Sequence, residues 1–408
     1  MPAEPVAAFP IARTCPYAPH KEHVRLQEEA PITKVTLPSG SDAWVVARHS
    51  DVRTVLADAR FSSDRARPEF PRVGAQDGEL AEQPGAVLPK VMLAMDAPEH
   101  GVARRAVLGE FTHRRMVELR PRIQEIVDEQ IDAMLAGPRP VDLVRALALP
   151  VPSLVICELL GVPYEDHDFF QTRSAMVVKQ GERPVETQNA QNAMQELAGY
   201  LDSLLRAKEL NPTDDLLGRQ ILRQREANGA VDRADLIGLS FLLLVAGHET
   251  TANMIALGAL QLSQDAKARA AIREDPDNTA PAVEEMLRYF TIAEHVLARV
   301  ATEDVELGDQ LIRAGDGVLT LSHVANRDPR VFEDPDTFDI ERGARNHLAF
   351  GYGPHQCLGQ SLARLELQVV FDTLLRRIPD LRLAVPVEEL SFKADALAYG
   401  IHELPVTW

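Results

Sequence analysis

Apolar positions along the chain change period several times, and each period predicts an element. The text alternates at Ile32–Leu37 and again at Ala43–Ala47, the period of two that half-buried strands show. The second run, A-W-V-V-A before R-H-S-D, reads as a strand entering a helix near Ser50. From Phe111 to Leu160 the period is helical with a break expected at Leu147–Pro152, and Ile156–Pro163 predicts a helix that stops at Gly161 with Pro163 beyond it. Another helix is expected from about Glu186 to Lys208. The longest pattern runs from Asp232 to Ser263. Asp232 and Asp235 mark its start, and Phe241–Ala246 is apolar on every side, so this helix belongs at the centre. Alternation returns between Glu303 and Leu319, and a last helical pattern passes through Leu362, Leu365, Leu367 and Val370. The expectation is a mainly α chain with a small β-rich region (α+β), its strands mainly within residues 30–60 and 300–322, forming one domain over residues 1–408.

Composition then narrows the function. Apolar residues at 45% and charged ones at 25% are ordinary globular values. A net charge of −18 argues against general nucleic-acid binding, because a phosphate backbone needs a basic surface. Three cysteines at unrelated positions make no disulfide framework, which fits a reducing cytoplasm. No sustained apolar run follows a basic start, so neither a signal peptide nor a membrane anchor is expected. In the long helix, His248, Glu249 and Asn253 fall too deep for a membrane span. Residues Ala66–Leu88, rich in proline and glycine, form an irregular stretch of a length that is usually functional or disordered.

The candidate chemistry centres on Phe350–Arg364, F-G-Y-G-P-H-Q-C-L-G-Q-S-L-A-R. Cys357 follows a glycine- and proline-rich turn and precedes a helical pattern, where unpaired backbone N–H groups and the helix dipole favour a thiolate. A cysteine phosphatase loop needs His directly before Cys and Arg six places after it, whereas His355 lies two before Cys357 and Arg364 comes one place late. Zinc needs three or four protein ligands, and Cys15 and Cys157 are remote with no C-x-x-C pairing. A single sulfur suits an iron whose in-plane ligands come from a porphyrin. Gly351 and Gly353 would allow the tight turn, and Gly359 a close approach of the helix to a flat macrocycle.

The pattern F-G-x-G-x-H-x-C-L-G-x-x-L-A-R closely resembles the haem-binding loop of the cytochrome P-450 monooxygenases, particularly the soluble bacterial ones. The resemblance extends over roughly Phe61 to Trp408, including F-S-S-D-R at Phe61–Arg65 and A-N-R-D-P-R-V-F-E-D-P-D-T-F-D-I-E-R. It implies the cytochrome P-450 fold and a haem b (iron protoporphyrin IX) cofactor. Cys357 would be the axial metal ligand, Phe350 and Gly351 would lie near the sulfur, and His355 would reach a haem propionate. In M-D-A-P-E-H-G-V-A-R-R, Asp96 can cap a helix on which His100 and Arg104 share a face at i, i+4, a pair suited to carboxylates. The resemblance assigns His100, Arg104 and Arg299 to the propionates.

Within the central helix, A-G-H-E-T-T (Ala246–Thr251) is poor helix sequence, and such local rule-breaking is expected at functional sites. By resemblance Ala246 and Gly247 lie against the haem with Gly247 leaving room for dioxygen, while Glu249 and Thr250 are the acid and alcohol that relay protons. Two alternatives stay open: Thr250 bonded back to a helix carbonyl with Glu249 in an internal ion pair, and Thr251 as the working hydroxyl. Glu285 and Arg288, at i, i+3, resemble with Arg342 the structural Glu-Arg-Arg network of the family.

The implied activity is insertion of one atom of O2 into a C–H bond of an apolar small molecule, a secondary metabolite or xenobiotic. No glycine fingerprint for flavin or nicotinamide is present, so electrons are expected from a separate ferredoxin and ferredoxin reductase. Arg104, Arg105, Arg114, Arg115 and Arg364 are the expected basic docking patch near Cys357. A peroxide-driven peroxygenase and a non-catalytic haem sensor are the rival readings. Substrate choice is expected to lie in Ala66–Lys90, Asp166–Arg183, Ile292–Leu297 and Leu397–Ile401.

Overall fold

A computed structural model describes residues 9–73, 92–178, 184–293, 297–394 and 398–408. In chain order the elements begin with α1 (Lys21–Glu29), β1 (Ile32–Thr36), β2 (Asp42–Val46), α2 (His49–Ala57) and β3 (Phe61–Ser62). Helices α3 (Glu99–Leu108) and α4 (His113–Ala136) follow, then β4 (Val141–Asp142), α5 (Pro150–Leu160), α6 (His167–Val178), α7 (Pro184–Leu210) and α8 (Leu216–Asn228). Next come α9 (Arg233–Gln264), α10 (Ala266–Glu274), α11 (Thr279–Phe290), and strands β5 (Ala298–Ala301), β6 (Val305–Leu307), β7 (Gln310–Ile312) and β8 (Gly317–Thr320). The short α12 (Ser322–Ala325), α13 (Gln360–Arg377), β9 (Arg382–Leu383) and β10 (Pro405–Thr407) complete the chain.

The alternating segments assemble one sheet in the order β1-β2-β8-β5-β3. Strands β1 and β2 pair antiparallel from Ile32 opposite Val46 to Thr36 opposite Asp42, and β2 runs parallel to β8. A second sheet, β4-β10-β9, includes at β10 the strand that the C-terminal text A-Y-G-I-H-E-L-P-V-T-W predicts, while β4 and β9 lie where no strand was expected. Those two strands are two residues long, too short for a period of two to register.

Helix α9 starts where the carboxylate of Asp232 accepts the N–H of Asp235 at 3.0 Å. It is long and apolar enough to cross a membrane, yet 67% of its apolar stretch is buried inside the protein, as befits a core helix. Helices α5, α11 and α13 pack against it. Gly258 fits this crowding, since a Cβ there would sit 2.3 Å from the Phe371 ring of α13.

Two expectations are corrected. The helical run from Phe111 breaks at Gly137–Leu143, where β4 forms, and not at Leu147–Pro152. Val144–Ala148 is a π-helical turn that leads directly into α5, with Pro150 in the first helical position, where its missing N–H leaves no bond unmade. Asp96 does not cap α3. Its carboxylate accepts from the Ser62 hydroxyl and from the Ser63 N–H (2.8 Å), and so ties the end of β3 to the entry of α3.

Adjacent carboxylates on α11 hold two separate parts of the chain. Glu285, 1% exposed, accepts from Nη2 (2.7 Å) and Nε (2.8 Å) of Arg288, itself 0% exposed, and also from Arg342 Nε (3.2 Å) and the Asp339 N–H (2.9 Å). Arg288 donates onward to the carbonyls of Asn326 and Pro335, so the network fixes the meander before the cysteine loop. Glu284 instead receives Arg364 and His347. Burial opposes its ionisation, but the hydrogen bonds from His347 and Arg364 prevail and pull its carboxyl from 4.5 to about 2.

Replacing Glu285 by Gln leaves buried guanidinium charge without its counter-ion, and the expected loss is about 3–5 kcal/mol of folding stability. Urea unfolding that shows a loss under about 1 kcal/mol would contradict the network. Because the folded-state pKa of Glu284 is depressed, its contribution is present above about pH 4.5 and lost as pH falls towards 2. After allowing for solvent screening, the stability gap between wild type and Glu284→Gln should be on the order of 2 kcal/mol at pH 6 and close to nil near pH 2. A gap unchanged between those pH values speaks against the assignment.

Candidate active site

The turn before α13 is shaped by glycines in the left-handed region, Gly351 at φ +70° and Gly353 at φ +73°. A Cβ on Gly353 would come within 2.7 Å of the Leu56 carbonyl, so the turn is pressed against the end of α2. The Cys357 N–H donates to the Phe350 carbonyl at 2.8 Å, closing the loop beneath the sulfur. Burial pushes the Cys357 thiol up, and the N–H groups of Gly359 and Gln360 and the guanidinium groups of Arg104 and Arg364 work against it. Without a metal the buried turn therefore favours the thiol; a coordinating cation removes that proton outright.

Beside this loop the structure gathers the predicted basic residues. The rings of His100 and His355 stack with centroids 3.9 Å apart. Arg104 on α3 donates from Nη2 to the Gln356 carbonyl at 2.6 Å. Arg299 on β5 is 5% exposed, donates to its own neighbour's carbonyl (Ala298, 2.8 Å) and has no ion pair among the described residues. Burial, tempered by Asp96 and aided by Arg65, brings its guanidinium down to about 10. His355 falls to about 4 through burial first, then His100, Arg299 and Arg104. Burial likewise lowers His100, with help from Arg104 and Arg299. Asp96 is the acid that offsets this cluster, and it is already engaged by Ser62 and Ser63. Two guanidinium groups and two histidine rings held towards the neutral form, with so little anionic charge beside them, are matched as donors to a ligand carrying carboxylates.

The middle of α9 presents the other side of the site. Val245, Ala246 and Thr250 are accessible in a helix otherwise largely buried, whereas Thr251 is 4% exposed, so Thr250 offers the hydroxyl on the open face. Its Oγ1 donates to the Ala246 carbonyl at 2.6 Å. Glu249 forms an ion pair with Lys393, and Asn253 Nδ2 donates to the same carboxylate oxygen at 3.3 Å. Lys393 donates in turn to Asn253 Oδ1 at 3.0 Å. Acid and alcohol are thus each bonded elsewhere, with no hydrogen bond between them. Gly247 turns towards α5, where a Cβ would meet Ile156 Cδ1 at 2.8 Å, which gives this glycine a packing reason of its own. His248 is buried against the Leu149 backbone, and burial lowers its pKa.

A flat macrocycle fits these surfaces on two observations. A Cβ on Gly359 would meet nothing within 4 Å, so the start of α13 is open to a neighbour, and the buried guanidinium of Arg299 suits an acidic one. Cys357 would supply the iron ligand, and His100, Arg104, Arg299 and His355 would hold the carboxylates. The centre of the Phe350 ring lies 4.5 Å from the Arg364 guanidinium carbon.

The five arginines of the expected docking patch differ in their surroundings, with Arg114 88% exposed. Arg364 is held by Glu284, Arg114 and Arg115 both pair with Glu118, and Arg104 is turned onto the loop, while Arg105 remains exposed. Of the segments expected to choose the substrate, residues 74–91, 179–183, 294–296 and 395–397 lie outside the described residues. The described parts of two of them meet: Ala293 bridges Ala398, and the Tyr399 N–H donates to the Ile292 carbonyl at 2.9 Å. Sequence reasoning missed Glu284 and Lys393. Glu284 had a faint signal as the twin of Glu285, and Lys393 had none.

Residues 17–379 match the family described as cytochrome P-450. The chain is 46% identical over 402 residues to the vitamin D3 dihydroxylase of Streptomyces griseolus, covering 98% of this chain and 97% of that protein. It is 46% identical over 401 residues to the pentalenic acid synthase of Streptomyces avermitilis, covering 98% and 97%. The crystal structure of cytochrome P-450 MoxA from Nonomuraea recticatena superposes with a TM-score of 0.92 at 56% identity and 98% coverage of both chains. A cysteine loop at a helix start, buried cations suited to carboxylates and relatives matched along their whole length lead to one conclusion: the chain belongs to the cytochrome P-450 family, whose members are haem-containing, oxygen-incorporating oxidoreductases.

Proposed function

We propose that this protein is a cytoplasmic haem-thiolate monooxygenase, working as one domain with haem b, that inserts one oxygen atom from O2 into a C–H bond of an apolar small molecule. The observation that carries this reading is Cys357, with the N–H groups of Gly359 and Gln360 directed to it, beside the carboxylate-poor cluster of buried His100 and Arg299 and half-buried Arg104 and His355. A secondary metabolite or xenobiotic is the substrate class, supported by relatives whose names specify vitamin D3 and a tylactone derivative. Electrons come from a separate ferredoxin and its reductase, with Arg105 the exposed cation nearest the loop-contacting Arg104.

When bound, the haem supplies reductive activation of dioxygen, and a thiolate ligand favours O–O cleavage. The chain's part is to bind, orient and move protons. Arg299 and the stacked histidines would hold the haem carboxylates, and Gly359 would leave the start of α13 open to the macrocycle. Thr250 holds its hydroxyl on the open face of α9. To pass a proton onward it exchanges the Ala246 carbonyl for a partner in the cavity, and Glu249 supplies the replacement proton once it leaves Lys393.

That resting arrangement favours one second reading, a peroxide-driven peroxygenase, which has no use for an assembled relay. With ferredoxin, reductase and 18O2, the monooxygenase reading expects one labelled oxygen per product molecule and little product from peroxide alone. Thr250→Ala should keep haem uptake intact while product per electron falls roughly tenfold or more. An unchanged product-to-electron ratio removes Thr250 from the relay, and efficient turnover on peroxide alone favours the peroxygenase.

A further inference from the structure

Arg364 has an arrangement that a docking cation would not need. Its Nε and Nη2 reach the two oxygens of Glu284 at 2.5 and 3.0 Å, its Nη1 reaches Gln360 Oε1 at 3.0 Å, and its guanidinium carbon lies 4.5 Å from the centre of the Phe350 ring. His347 completes the clamp. Its Nδ1 accepts the Ala349 N–H (3.2 Å), its Nε2 donates to Glu284 (3.1 Å), and its ring centre lies 5.8 Å from that of Phe350. The Phe350 carbonyl in turn accepts the N–H of Cys357. One carboxylate on α11 thus fixes a cation and an imidazole on the phenylalanine whose carbonyl holds the N–H of the cysteine.

We propose that Arg364 is a positioning residue whose charge, set over Phe350 by Glu284, stabilises negative charge at the Cys357 sulfur and raises the reduction potential of the bound iron. The inference rests on the haem-thiolate reading and adds to it a group that touches neither haem nor substrate. Reduction adds one electron from the redox partner to ferric iron, with no bond made or broken, so the site gains one negative charge. A fixed cation held in a partly buried position favours that state, because water screens it little. The two-pronged hold on Glu284 together with stacking on Phe350 suits a planar guanidinium and not an ammonium.

Spectroelectrochemical titration of the haem-loaded protein tests this. Arg364→Met should shift the reduction equilibrium about tenfold towards ferric iron, about 59 mV downward for one electron. Arg364→Lys, which keeps the charge and loses the fork, should recover part of that shift. Glu284→Gln removes the counter-charge and should move the potential upward. An unchanged potential in Arg364→Met, or the same drop in Arg364→Lys as in Arg364→Met, overturns the proposal. If Arg364→Met takes up no haem, Glu284→Gln decides: a rise supports the proposal, and no change or a fall overturns it. Each variant's reduced carbonyl spectrum is recorded alongside, so that a thiolate signature with an unmoved potential refutes this inference alone, whereas a wild-type protein without that signature refutes the reading beneath it.

Discussion

A sulfur that must carry negative charge inside a protein needs positive groups arranged before the charge arrives. The turn at Cys357 is buried enough that its thiol is pushed up, and the compensating groups come from three places: the backbone at the start of α13, Arg104 on α3 and Arg364 on α13. Such groups can be kept in place only if they are themselves held. Glu284 and Glu285, consecutive on α11, do that from one helix, the first gripping Arg364 and His347 beside the loop, the second gripping Arg288 and Arg342 in the meander that leads to it. A change on α11 therefore reaches the sulfur through ion pairs and not through direct contact.

The distal side is built on a different principle. Helix α9 is buried for most of its length, and a short accessible stretch around Ala246 and Thr250 interrupts that burial. Polar groups there could disturb the helix, and each is given a local partner: Thr250 the Ala246 carbonyl, Glu249 the ammonium of Lys393, Asn253 both Glu249 and Lys393. Lys393 belongs to a segment that bridges Phe392 to Ile401, and Asn253 also donates to the Ala398 carbonyl at 3.3 Å. Glu249, the acid of the proposed relay, is thereby tied to the C-terminal segment that meets Ile292 and Ala293, so the parts expected to sense substrate and the part expected to move protons share a hydrogen-bond network.

Much of this was legible in the sequence, for physical reasons. The glycine-rich turn and Cys357 follow one another within a few residues, so local spacing carried the information. Asp232 announced α9 and Gly161 the end of α5, because caps and left-handed glycines are set by adjacent residues. Of the longer strands, β1 alternates from Lys34 to Thr36, whereas β2 is buried at four successive positions, Ala43 to Val46, and shows as an apolar run. What was hidden depends on distance along the chain or on brevity: Lys393 meets Glu249 from 144 residues away, Arg364 meets Glu284 from 80, and β4 and β9 are too short to show alternation. Asp96 looked like a helix cap since the spacing allowed it, and tertiary partners at Ser62 and Ser63 took its carboxylate instead.

The central claim is that Cys357 holds a haem iron as a thiolate. The most direct measurement is the absorption spectrum of the purified, haem-loaded protein after reduction under carbon monoxide. A Soret band at the long-wavelength position of thiolate-ligated haem, lost in Cys357→His, is the predicted result; a band where imidazole-ligated haem absorbs, or a protein that takes up no haem, would contradict the account.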